Sequence, residues 1–439
     1  MFDLGIINGR VYIDGRFVDT NVYINEGTIK KIDRCTFECE KTLDAEGKLV
    51  LPGFIDPHVH FSLDLGEFSS RDDFESGSRT AAFGGVTTFL DFTRPIFSHE
   101  EALVAIRERK KEAKKSCIDY SFHLTLGNFS GDVEKLVKTC KEEGLGSIKV
   151  FTAYSESNRR CSYEIIEKIL ENDILLMSHS EEDELVNPIW EEVATYEESR
   201  PIKAEMTSVE KLCKIVLNAS SVVDTVDAEN HEGKLYIVHV SSGSTIEMVK
   251  DEFGPLLNKS IFLESCPHYF NLSSEFYYRK DGRLYLMAPP LRSREEVEKL
   301  RRNIDFLSTI GTDHCPFMKK EKLKYARADK VPKGVGGIEY SFSLMYTLFG
   351  EKIIPKFTSG PAEIFGLGKK GRIGEKFDGD IVVFDENISR AIDSGASICD
   401  YSVYKDMVVR GMVTTTISRG RIIMDKGIFY GGRGKFLRR

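Results

Sequence analysis

Apolar and polar positions along this chain fall into three stretches of different texture. The first 50 residues alternate over short runs, DLGIINGRVYI and GRFVDTNVYINEGTIKKID, broken at Asn-Gly, Asp-Gly and Glu-Gly. Alternation punctuated by turn residues predicts short strands with one buried face. The end of the chain repeats that texture in GRIGEKFDGDIVVFD and DMVVRGMVTTTISRGRIIMDKGIFYGG. The two ends are expected to meet in one small β-sandwich, with residues 1–50 as its first part and 366–439 as its second.

The middle, residues 51–365, reads differently. Continuous apolar runs (LVLPGFID, VTTFLDF, DYSFHLTL, GSIKVF, ILLMSH, KLYIVHV, SIFLES and IDFLSTIGTD) predict strands buried on both faces. Amphipathic helical stretches such as HEEALVAIRERKKEAKK, TSVEKLCKIVLNA and REEVEKLRRN lie between most of them. This α/β alternation fits a (β/α)8 barrel, and a doubly wound sheet gives a similar pattern. The barrel is favoured because chemistry-bearing residues end several different strands, the first and the last among them.

Composition narrows the classes. The net charge of -8 offers no basic field for nucleic acid. No apolar run approaches the roughly 20 residues needed to cross a bilayer, and the N-terminus lacks the continuous apolar core of an export signal. Nine cysteines, an odd number without framework spacing, point to a reducing, cytoplasmic setting. Cys35 and Cys39 have no second pair to complete a zinc ribbon.

The candidate chemistry begins at DPHVH. Residues two apart in an extended segment face the same way, so His58 and His60 can point at one spot. His179 ends ILLMSH, His239 closes KLYIVHV and Asp313 ends STIGTD. Imidazoles with a carboxylate suit zinc and similar divalent ions, and barrel enzymes keep their chemistry at the carboxyl ends of the strands. Lys149, inside GSIKVFTAY, is a charged residue in a buried run. Either it reaches solvent or a carboxylate, or it lies neutral beside metals and reacts with carbon dioxide to give an anionic carbamate.

From PGFIDPHVHF onward the chain resembles the dihydropyrimidinase/hydantoinase branch of the amidohydrolase superfamily. The motifs come in order: DDFESGSRTAAFGGVTTFLDF, GSIKVFTAY, HSEED, RPIKAE, YIVHVSSGS, ESCPHYFNLSSE, APPLR, GTDHCPF, VPKGVGGIE and GRGKFLRR. The resemblance implies a catalytic barrel with a β-sandwich built from both ends. It implies that His58, His60 and Asp313 hold one metal, His179 and His239 the other, and a carboxylated Lys149 bridges them. The metals it implies are two divalent ions, most simply zinc. Asp313 would also carry protons, and Tyr154 would hydrogen-bond the substrate carbonyl.

Main-chain groups at Ala288 and Lys333 would bind the ring amide, although those positions more often hold Ser and Asn. The family's C-terminal segment often makes subunit contacts, so a homo-oligomer, a dimer or tetramer, is expected. The implied reaction opens a dihydropyrimidine or hydantoin ring to an N-carbamoyl amino acid. Dihydroorotases hold their substrate's carboxylate with an Arg two residues after the second His and an Asn further on. Here those places read Ser62 and DFTRP, with Arg94 as the one cation that could substitute. A non-catalytic scaffold of the same fold, a further alternative, is disfavoured by the complete ligand set.

Overall fold

The computed structural model describes residues 1–221, 233–393 and 395–439. Its centre is a ring of eight strands that follow one another in chain order: Phe54–Val59, Val86–Phe92, Asp119–Thr125, Ser147–Phe151, Leu175–His179, Lys234–Ile237, Ile261–Ser265 and Thr309–Ile310. Each pairs in parallel with the next. The ring closes where Val59 bridges His314 and the His60 N–H donates to the His314 carbonyl at 3.0 Å. Sequential order with closure is a barrel; a doubly wound sheet would place the first strand inside and leave two edges.

Side chains alternate across this wall. Ile55, Leu90, Phe92, Met177 and Tyr236 pack inside the ring with Phe365, whereas Phe54, Phe89, Leu124 and Ile148 pack outward against the helices. Val133–Glu143 shows why those helices form where they do. It buries Val133, Leu136, Val137 and Cys140, a stripe at helical spacing, and Asp132 caps its first turn by accepting from the Lys135 N–H. Gly144 ends it at φ 80°, a left-handed position that favours glycine.

Strands from both termini join one nine-stranded, mostly antiparallel sheet with its own core of residues such as Leu4, Val22, Ile24, Val50, Ile381 and Ile417. Leu49–Pro52 is the seam, pairing antiparallel with Ile381–Phe384 and parallel with Arg10–Val11. Leu49–Asp56, one strand by its apolar run, therefore divides at Gly53 between this sheet and the barrel. A Cβ there would lie 2.2 Å from Thr87 Oγ1, so only glycine allows the chain to cross. The closing GRGKFLRR lies along the third barrel strand of its own chain, with Phe436 stacked on Phe122 at 5.8 Å. All nine cysteines are free thiols, and among the described residues no helix is long and apolar enough to cross a membrane.

Candidate metal centre

His58 and His60 leave the first barrel strand side by side, and Asp313 meets them from beyond the eighth. His58 Nδ1 donates to Glu264 Oε1 at 2.7 Å, which leaves Nε2 as the lone-pair nitrogen. That atom lies 3.2 Å from His60 Nε2 and 3.4 Å from Asp313 Oδ1, and His60 Nε2 lies 3.1 Å from the same oxygen. Three ligand atoms thus converge on one point with no other partner between them. Buried Asp56 locks the two strand ends together, accepting from the His58 N–H, the Thr312 N–H and the Thr312 hydroxyl at 3.1, 3.1 and 2.6 Å. Burial pushes its carboxyl up to about 6. Burial also works to raise Asp313, but His60, His58 and His268 pull it well below the usual carboxylate range.

A second pair stands opposite. His179 Nδ1 lies 2.9 Å from His239 Nε2, and the His58 and His239 rings are 5.4 Å apart. His179 Nε2 donates to Glu181 Oε2 at 2.6 Å, and Arg200 grips that carboxylate in turn. The free lone pair of His179 is therefore Nδ1. Burial holds the His179 imidazole down at about 4, so it is neutral at neutral pH. The His239 N–H donates to Glu264 Oε1 at 3.0 Å, so a single buried carboxylate orients a histidine from each pair. His239, Asp313 and Tyr154 all adopt positive φ (41°, 49° and 74°), backbone strain gathered at one site.

Lys149 sits between the pairs on the fourth strand and is 2% exposed. Its amine lies 5.6 Å from the Phe92 ring and 5.2 Å from the Phe151 ring, without an ion pair to any described carboxylate. Burial pushes it down to about 7, against a smaller opposing pull from Glu264 and Asp313. The four histidines, Lys149 and Asp313 line one cavity of about 480 Å³, together with Tyr154, Ala288 and Lys333. The Tyr154 ring is 5.0 Å from that of His179, under the Arg200 guanidinium at 4.7 Å. Burial pushes its phenol up to about 12, which keeps it a proton donor.

A profile of the amidohydrolase family matches residues 49–423, most of the chain. The chain belongs to the amidohydrolase family. Its place is the hydantoinase branch. It is 30% identical to the D-hydantoinase of Geobacillus stearothermophilus over 472 aligned residues, covering 99% of this chain and 96% of that protein. The D-phenylhydantoinase of Escherichia coli O127:H6 is 29% identical, over 91% of this chain and 90% of its own length. A solved D-hydantoinase (dihydropyrimidinase) from a Thermus species superposes with TM-score 0.89 at 26% identity, over 99% of both chains.

Amidohydrolases are metal-dependent enzymes, and the donor atoms here fit that chemistry: bare nitrogens and a carboxylate oxygen facing each other. The cavity of this amidohydrolase brings together every ligand-type residue expected from sequence. It leaves others out. Arg94 is held outside by Glu101 and Glu108 at 3.0 and 3.1 Å, and Ser62 is exposed; neither lines the cavity. The Lys333 amine turns back to the Ala328 and Val331 carbonyls at 2.6 and 2.5 Å. Three groups were missed by sequence reasoning: Glu264, the Glu181–Arg200 pair and Asp56. A glutamate inside the apolar run SIFLES was the available signal for the first, the same signal that singled out Lys149.

Proposed function

We propose that this chain is a dinuclear metal-dependent hydrolase that opens a dihydropyrimidine or hydantoin ring to an N-carbamoyl amino acid. The observation that carries it is the convergence of two histidine pairs and Asp313 around a buried, unpaired Lys149. His58, His60 and Asp313 would hold one ion, His179 and His239 the other, with zinc the natural choice for this donor set. The neutral Lys149 amine would attack carbon dioxide: the N–C bond forms as one C=O π pair moves onto oxygen, the nitrogen gives up a proton to solvent, and the carbamate anion left on Lys149 would help to hold the ions. Bound there, the ions supply an acidified water and polarise the ring carbonyl.

The protein's own residues do the rest. Asp313 Oδ takes the proton as the water oxygen bonds to the carbonyl carbon, then delivers it to the ring nitrogen as the C–N bond breaks. The Tyr154 hydroxyl donates to the carbonyl oxygen as charge develops on it, an effect of roughly 10²–10³-fold in comparable oxyanion sites. Ala288 and Lys333, which line the cavity, would present their main chain to the ring amide. The dihydroorotase reading lacks support at Ser62 and Arg94: Ser62 does not line the cavity and Arg94 is engaged outside it. A homo-oligomer, dimer or tetramer, is part of the same proposal. Turnover of dihydrouracil, hydantoin and dihydroorotate, assayed side by side with metal-loaded protein, tests the reading. Ring opening of either of the first two supports it, and inertness toward all three rejects it.

A further inference from the structure

The wall of the same cavity bears on the substrate, on the reading of this site as a cyclic-amide hydrolase. It combines an apolar surface (Leu63, Leu65, Phe68 and Phe151) with several charged side chains. Three of those charges are already paired. Glu67 takes the Lys324 amine and the Tyr325 hydroxyl, Asp329 takes both nitrogens of the Arg327 fork at 3.0 and 3.1 Å, and Lys333 is bound to backbone carbonyls.

Arg159 differs. Its backbone N–H closes on the Tyr154 carbonyl at 3.0 Å, so it hangs from the same turn as the tyrosine that faces the metal site. Half-buried Arg159 lines the cavity with no ion pair to any described carboxylate. The neighbouring Arg160, by contrast, is engaged by Glu184 at 2.7 Å and Asp183 at 3.5 Å. Exposed Lys330 is a second lining cation without a described ion-pair partner. Exposed Glu156 is the single lining acid in that condition, and it does not reach Arg159. A planar guanidinium carried by a cavity-lining residue is suited to bidentate recognition of a carboxylate.

We propose that the ring opened here carries an arm with an apolar stem and an anionic end. The stem lies along Leu65, Phe68 and Phe151, and the terminal carboxylate pairs with Arg159, with Lys330 adding to the positive field. The cation missing beside the ring is thus supplied further out. Arg159 acts as a specificity-determining residue on this account.

The test compares kcat/KM for a hydantoin bearing a carboxyethyl arm with that for the same ring bearing a carbamoylethyl arm. The two arms match in shape and differ in charge. Wild-type enzyme should favour the carboxylate by about ten- to a hundredfold, the range of a charged hydrogen bond. Arg159→Gln should bring that ratio close to one, and Arg159→Lys, which keeps charge without the fork, should fall between. Added salt should lower the wild-type ratio more than the Arg159→Gln ratio. A wild-type ratio near one, with the neutral ring still opened, would overturn this inference and leave the cyclic-amide reading standing. So would a large ratio that survives in folded Arg159→Gln. Failure to open either ring would instead overturn the cyclic-amide reading.

Discussion

Replacing Glu264 by Gln isolates the contribution of the buried carboxylate behind the proposed metal ligands. Glu264 accepts three hydrogen bonds: from His58 Nδ1 at 2.7 Å, the His239 N–H at 3.0 Å and the Tyr236 hydroxyl at 2.7 Å. Glutamine has nearly the same shape but only one acceptor oxygen. If that oxygen keeps the histidine side, the amide N–H2 faces Tyr236, whose hydroxyl can accept while donating to Thr309 Oγ1. The fold therefore survives, but two bonds that orient metal ligands lose their charge. A charged hydrogen bond is worth about 1 kcal/mol more than a neutral one, so the loss is about 2 kcal/mol. That corresponds to a metal affinity weaker by roughly thirtyfold, within the range for supporting partners of metal-bound histidines. Competition against a chromophoric chelator measures it directly, and thermal melts of the metal-free proteins separate it from loss of fold. Equal metal affinity in a folded Glu264→Gln variant would refute the reasoning.

Three further outcomes follow from the same geometry. With Lys149 at about 7, the amine is neutral above that pH and protonated below it, so about half is reactive at neutrality, against roughly one in 3,000 for a free lysine. Bicarbonate-dependent reloading of metal-free protein should therefore rise with pH across the region of pH 6 to 8, and Lys149→Ala should lose both metal and activity; a rise centred near 10 would contradict the burial argument. Asp313→Asn should retain metal at the His179–His239 pair while turnover falls by roughly 10²–10⁴-fold, and near wild-type turnover would show that another group moves the proton. Dihydrouracil or hydantoin should be preferred to dihydroorotate, and Arg94→Ala should leave that preference unchanged because Glu101 and Glu108 hold its guanidinium away from the cavity; a dihydroorotate preference that collapses in Arg94→Ala would reverse the assignment.

Much of this architecture is written in local pattern. Barrel strands are covered on both faces, so VTTFLDF, GSIKVF and SIFLES appear as uninterrupted apolar runs. The pattern fails where a strand is short or shared. The eighth strand keeps only Thr309 and Ile310, and His239 and Asp313 lie past the strand ends in left-handed backbone that no periodicity reports. The side chains that line the candidate metal centre were legible because histidine and lysine are rare in buried runs. Their supports were not: Glu181 and Arg200 are 19 residues apart in sequence and meet only through folding, and Glu264 reaches His58 across 206 positions. Arg159 sits in a loop whose composition resembles any solvated turn, and only the cavity wall gives it meaning.

The central claim is that ring opening depends on metal held by these six side chains. Its most direct measurement is a titration of chelator-stripped protein with zinc in the presence of bicarbonate, following metal content and hydantoin or dihydrouracil ring opening on the same samples. Activity should be absent at the start and climb to a plateau at two metals per chain. Full activity in protein that carries less than one metal per chain would contradict the account.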